Sequence, residues 1–120
     1  MVKALFDTNI LVDYLNAVPE ARTELQRYTK KAVSIITWME VMVGADPDVE
    51  AATHNYLSGF DIVAVDEHIA ERAVGLRRSH RIKLPDAVIW ATAQEHSMLL
   101  VTRSNNFPND DPGIRAPYKL

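Results

Sequence analysis

The chain has no cysteine, which removes disulfides, thiolate zinc sites and cysteine nucleophiles together. Glycine is scarce, with four in 120 residues, and no Gly-rich phosphate loop or serine-nucleophile motif is present. The longest apolar runs, around 32–36 and 87–93, fall far short of the roughly 20 residues that cross a bilayer. Positive charge is also lacking overall, with a net charge of −3 and a pI near 5.7, which argues against holding nucleic acid through a global field. The opening Met1-Val2-Lys3 has neither the long apolar stretch nor the cleavage site of a secretory signal. A cytoplasmic protein without membrane association is expected. His54, His68, His80 and His96 have no ligand-like pairing, so zinc is not indicated.

What is present is a chain 48% apolar and 24% charged, with no linker, repeat or low-complexity tract, so residues 1–120 are expected to form one domain. Its segments alternate. Strands are expected at 2–6, 32–36, 62–65 and 98–102. Helices are expected at 8–16, 19–30, 38–45, 49–57, 67–79 and 85–96, with Asp66 as an N-cap, and 104–112 reads as polar turns. Strands alternating with helices indicate an α/β fold with a mostly parallel sheet covered on both faces.

In such a sheet ligands bind beyond the carboxyl ends of the strands. Asp7 follows the first strand and Glu40 lies just past the second, so both approach that edge. Spacing alone does not place Asp86, whose helix has no strand directly before it. Each acid also has an ordinary structural role. Asp7 fits the N-cap of the helix that starts at Thr8. Glu40 fits a capping box with Thr37. Asp86 follows Pro85 in a first helical turn, where the dipole favours a carboxylate.

Together the three acids suggest more. Asp86 shares a helix face with Ile89, Trp90 and Ala93, which aims it at apolar packing, where a carboxylate needs a partner. Clustered carboxylates raise each other's pKa unless a divalent cation balances them. Oxygen ligands suit Mg²⁺ or Mn²⁺, and such an ion supports phosphodiester hydrolysis by activating water and stabilising charge on the phosphoryl oxygens. The constellation reads as a metal-dependent nuclease. Arg77, Arg78, Arg81 and Lys83 place four cations within seven residues just before Asp86. This cluster serves either as a solvated helix end or as a contact for phosphates.

The blocks FDTNILVDYL, ITWMEVMVGA, KLPDAVIWATA and LLVTRSNNF, with the ending DDPGI…PY, resemble the PIN domain family, and within it the VapC-type toxins of bacterial toxin-antitoxin pairs. The likeness runs over nearly the whole chain. It implies a three-layer α/β/α domain, usually a homodimer, that cleaves RNA with Mg²⁺ or Mn²⁺, and a small antitoxin that blocks the site, commonly with a segment bearing a basic residue. By the match Asp7, Glu40 and Asp86 are the metal-binding acids, with Thr8, Thr102 and Ser104 as polar neighbours. Arg77, Arg78, Arg81, Lys83 and Arg103 are the candidates for phosphate contacts. Asp13 is left as a surface or structural residue.

The chain departs from the family pattern at one place. Many relatives carry a further acid directly before the phenylalanine that here is Phe107, and this sequence has Asn106 there, in a turn that looks one residue short. An amide oxygen can ligate a cation or orient water but brings no charge, which implies a single metal or weaker metal affinity. Asp110 lies too far along the loop to substitute without folding back. The leading expectation is therefore a metal-dependent endoribonuclease toxin. The alternative is a catalytically weakened PIN domain that binds RNA or antitoxin without turnover. A third, phosphotransfer through Asp7 as nucleophile, finds Asn9 where such hydrolases offer a second Asp, and no suitably placed lysine.

Overall fold

The computed structural model describes residues 2–120. Its strands are β1 (Lys3–Phe6), β2 (Lys30–Ser34), β3 (Asp61–Val63), β4 (Leu99–Val101) and β5 (Ile114–Arg115). Its helices are α1 (Thr8–Leu15), α2 (Pro19–Gln26), α3 (Ile35–Val43), α4 (Glu50–Leu57), α5 (Glu67–His80) and α6 (Leu84–Glu95). The strands form one sheet in the order β3-β2-β1-β4-β5, every pairing parallel. The α/β reading of the sequence holds.

Alternation along the strands explains the layers. Leu5, Ala32 and Leu100, which are register partners across β2, β1 and β4, face a core closed by Ile69 and Ala73 of α5 and by Ala87, Ile89 and Trp90 of α6. Their neighbours Ala4, Phe6, Val33 and Val101 face the opposite core, with Ile10 and Leu11 of α1, Leu25 of α2, Val41 of α3 and Leu57 of α4. Successive side chains of a strand point to opposite faces, so a central strand buried on both sides is apolar throughout.

The largest departures from expectation are two boundaries and one added strand. The second helix stops at Gln26, because β2 begins at Lys30 to pair with Lys3. β2 ends at Ser34 and not at residue 36, because Ser34 caps α3 by accepting a hydrogen bond from Ile36 N at 3.1 Å. The β-branched Ile35 and Ile36 thus sit in the first turn of a helix. The tail also contributes β5. This two-residue strand follows an Asx turn in which Asp111 Oδ1 accepts from Gly113 N at 2.7 Å. Its flanks are held by Leu100 N to Gly113 O at 2.9 Å and Thr102 N to Arg115 O at 3.0 Å.

Candidate active site

The register places Phe6 opposite Val101, so the next residues, Asp7 and Thr102, leave the carboxyl edge side by side. Asp7 N donates to Val101 O at 2.9 Å. Asp7 does cap α1, its Oδ1 accepting from Thr8 N at 2.7 Å. The cap uses only one oxygen. Asp7 Oδ2 accepts from Thr102 Oγ1 at 2.7 Å and from Asn9 Nδ2 at 3.3 Å.

Every donor to Asp7 is neutral, and the residue is only 4% exposed. Burial pushes its carboxyl up, the hydrogen bonds from Thr102 and Thr8 oppose that, and the charges of Asp86 and Glu40 add to it, leaving the pKa at about 6. This is a buried carboxylate flanked by two others, with no cationic side chain among its hydrogen-bond donors.

Glu40 lies in α3, whose true cap at Ser34 places Thr37 inside the helix. The expected capping box between Thr37 and Glu40 therefore does not form. Instead Thr8 Oγ1 donates to Glu40 Oε1 at 2.6 Å and lies 3.1 Å from Thr37 Oγ1. Thr8 follows Asp7 directly, so one dipeptide tethers two of the acids.

Asp86 stands in the first turn of α6 with Pro85 before it. It is half-buried at the rim, whereas Ile89, Trp90 and Ala93 on its face are buried. The partner it finds is Asn106, whose Nδ2 donates to Asp86 Oδ2 at 3.2 Å. The loop that brings Asn106 there is ordered by hydroxyls. Ser104 N donates to Thr102 Oγ1, and Asn106 N donates to Ser104 Oγ, each at 3.1 Å. Phe107 anchors the loop edge-on to Trp90, with ring centroids 5.9 Å apart.

Asp7, Glu40, Asp86 and Asn106 carry oxygen donors of the kind a hard divalent cation takes, and the charges of Glu40 and Asp86 are felt at Asp7. Among the described residues no three Asp, Glu, His or Cys side chains already stand close enough to enclose an ion.

The cations divide into two groups. Arg77, Arg78, Arg81 and Lys83 are exposed and, among the described residues, make no ion pair. Arg103 is different. Its Nη2 donates to Asp13 Oδ1 at 3.0 Å, its Nε donates to Asp13 Oδ2, and Tyr118 Oη donates to Asp13 Oδ2 at 2.8 Å. Asp13 is therefore structural and not a surface group, being 4% exposed.

Two features were not singled out from the sequence. Asn9 bridges the site, its Nδ2 also 3.3 Å from Thr102 Oγ1 and its Oδ1 accepting from Arg103 N at 3.3 Å. Its place two residues after Asp7 at a strand end was the available signal. Glu24, also buried, accepts from Arg115 Nε at 2.7 Å and Nη2 at 3.1 Å and from Tyr28 Oη at 2.8 Å. No local pattern announces that pair. Beside Glu40 a groove of about 500 Å³ opens between α1, α3 and α4, lined by Val12, Leu15, Val41, Val49 and Ala52.

A family model described as the PIN domain matches residues 4–110. A chain of a toxin-antitoxin complex from Klebsiella pneumoniae is 46% identical and superimposes with a TM-score of 0.93, over 98% of this chain and 100% of that one. DNA-bound VapBC from Salmonella typhimurium is 23% identical with a TM-score of 0.77 over 96% of each chain. FitAcB from Neisseria gonorrhoeae is 23% identical with a TM-score of 0.71, over 86% of this chain and 88% of that one. The two more distant structures share the fold. None of the curated proteins compared matches the chain.

Proposed function

The chain belongs to the PIN domain family, and we propose that it is the toxin of a toxin-antitoxin pair, an endoribonuclease that hydrolyses RNA with Mg²⁺ or Mn²⁺ held by Asp7, Glu40 and Asp86. The observation that carries this reading is Asp7. A carboxylate buried at a strand end, beside two more acids and without a cation, is costly to the fold, and its arrangement makes sense as a site that a metal completes.

A bound Mg²⁺ or Mn²⁺ would supply an activated water and offset charge at the phosphate. The protein's part is positioning. Thr102, Thr8 N and Asn9 aim both oxygens of Asp7, which is ionised above about pH 6. Thr8 holds Glu40, and Asn106 holds Asp86. Arg77 and Arg78 in the last turn of α5 and Arg81 and Lys83 in the connector to α6 precede Asp86 in the chain, and the connector is pinned by the buried Ile82 and by His80 packed edge-on against Trp90 at 4.8 Å. Exposed cations without an ion pair suit the phosphates of an RNA strand. The groove beside Glu40, apolar along Val12, Leu15 and Val49 with Asn16 and Asp46 also lining it, suits the antitoxin, and the enzyme is expected to be a homodimer.

Asn106 favours a second reading. An amide where relatives often carry an acid lowers the negative charge at the site, which fits a weakened domain that binds RNA or antitoxin without cleaving. Total cellular RNA incubated with the chain in EDTA, Mg²⁺ or Mn²⁺, beside the Asp7→Asn variant, separates the two. Discrete cuts that require both metal and Asp7 support the nuclease. Intact RNA, from folded protein free of antitoxin, supports the binding module.

A further inference from the structure

We propose that Arg103 is a positioning residue of this acid site, held by buried Asp13 and by Tyr118 of the C-terminal tail so that residues 102 and 103 keep the Thr102 hydroxyl on Asp7. The proposal rests on reading Asp7, Glu40 and Asp86 as the cation site.

The geometry runs in one chain of contacts. Thr102 Oγ1 donates to Asp7 Oδ2 at 2.7 Å, and the peptide on either side of that hydroxyl is fixed. Thr102 N donates to Arg115 O at 3.0 Å, and Arg103 N donates to Asn9 Oδ1 at 3.3 Å. The guanidinium of Arg103 then grips both oxygens of Asp13, which a single ammonium does not do. Tyr118 closes the far side of Asp13. Asp13 and Asp7 lie on the same short α1 segment, the latter as its cap. The Arg103 pair therefore fastens the loop after β4 to the helix that carries the site's buried acid.

The second buried pair in the molecule supplies the control. Arg115 grips Glu24 with the same two-nitrogen geometry, but it ties the tail to α2, and only its backbone carbonyl faces Thr102. Breaking either pair costs stability. Breaking the Arg103 pair is expected to disturb the site most. With its guanidinium on Asp13, Arg103 also stands apart from the four free cations proposed to hold phosphate.

The test compares wild type, Arg103→Lys, Tyr118→Phe and Arg115→Lys in two measurements. In Mn²⁺ titration calorimetry, Arg103→Lys should weaken affinity about tenfold, the lower end for outer partners of a metal site. Tyr118→Phe should weaken it less, and Arg115→Lys, which keeps the carbonyl that Thr102 N uses, should weaken it least. In metal-free amide hydrogen exchange, the amides at 102 and 103 should lose about tenfold in protection in Arg103→Lys. The amide of Ile69, capped remotely by Asp66, should not. A wild type that binds no Mn²⁺ would remove the cation reading alone, and exchange would still decide the positioning role. Exchange at 102 and 103 that changes no more than at Ile69, or equal effects of Arg103→Lys and Arg115→Lys, overturns the proposal.

Discussion

Asp7 and Asp13 are six residues apart on one helical segment, and each is 4% exposed, yet their surroundings push them in opposite directions. Asp7 receives only neutral donors, and its pKa rises to about 6. For Asp13 burial also works upward, but the hydrogen bonds from Arg103 and Tyr118 and the charge of Arg103 outweigh it, so the carboxyl sits below its ordinary range. Burial raises both and is the largest influence on each; the Arg103 cation and the two hydrogen bonds beside Asp13 reverse the direction there, and the contrast separates a carboxylate that completes the fold from one that the fold leaves incomplete. Glu24 repeats the Asp13 solution with Arg115, Tyr28 and Arg27.

The largest effect should come from breaking the satisfied member. Asp13→Ala leaves Arg103 without its partner and Tyr118 without its acceptor. Removing one side of a buried pair costs about 3 kcal/mol, the low end of the usual range because Arg103 is a third exposed and can turn to water. Urea unfolding at pH 7 measures it. The opposite sign is expected at Asp7. A carboxyl lifted from 3.8 to about 6 loses roughly 1.36 kcal/mol per unit on ionising in the fold, so Asp7→Asn should stabilise the metal-free protein at pH 7 by up to about 3 kcal/mol. The same substitution should abolish the stabilisation that Mn²⁺ confers on wild type by mass action. Equal destabilisation by both substitutions would erase the contrast.

The pH dependence of stability in EDTA should show the two solutions as two limbs. The folded-state pKa of Asp7 lies above its ordinary 3.8, so its contribution is fully present below about pH 4 and is lost as the pH rises through about 6. The folded-state pKa values of Asp13 and Glu24 lie below their ordinary 3.8 and 4.5, so their contributions are present above about pH 4 to 5 and are lost as the pH falls further. Stability should therefore peak near pH 4 to 5. Asp7→Asn should flatten the decline toward pH 7 and leave the acid limb, whereas Asp13→Asn should do the reverse.

The two aspartates were not equally legible in the sequence. Asp7 ends an apolar strand, and a position there can be seen within a few residues. Asp13 takes its meaning from Arg103 and Tyr118, 90 and 105 residues away, and only its spacing of three from buried Ile10 hinted that it faces inward. The layered fold was legible because strand and helix periods differ. The start of α3 was not, since Ser34, a single hydroxyl cap, converted two β-branched residues from expected strand to helix. That local error had a consequence at the site, because the capping box it suggested for Glu40 hid the bond from Thr8. β5 is too short to show alternation and exists through its pairing with β4.

The smallest expected effect is the most discriminating. Thr102→Val keeps the shape of the side chain and removes the donor that most opposes the rise at Asp7. If neutral hydrogen bonds partly substitute for a missing cation, the Asp7 pKa should move above about 6 by less than one unit, a difference of no more than about 1 kcal/mol, read from a carboxyl-carbon NMR titration in EDTA. Asp13, whose hydrogen bonds come from Arg103 and Tyr118 and none from Thr102, should titrate as before. A shift at both residues would mean that the loop after β4 had moved as a whole. No shift at Asp7 would mean that burial, the Thr8 bond and the neighbouring acids set its ionisation, and that Thr102 places the carboxylate without stabilising its charge.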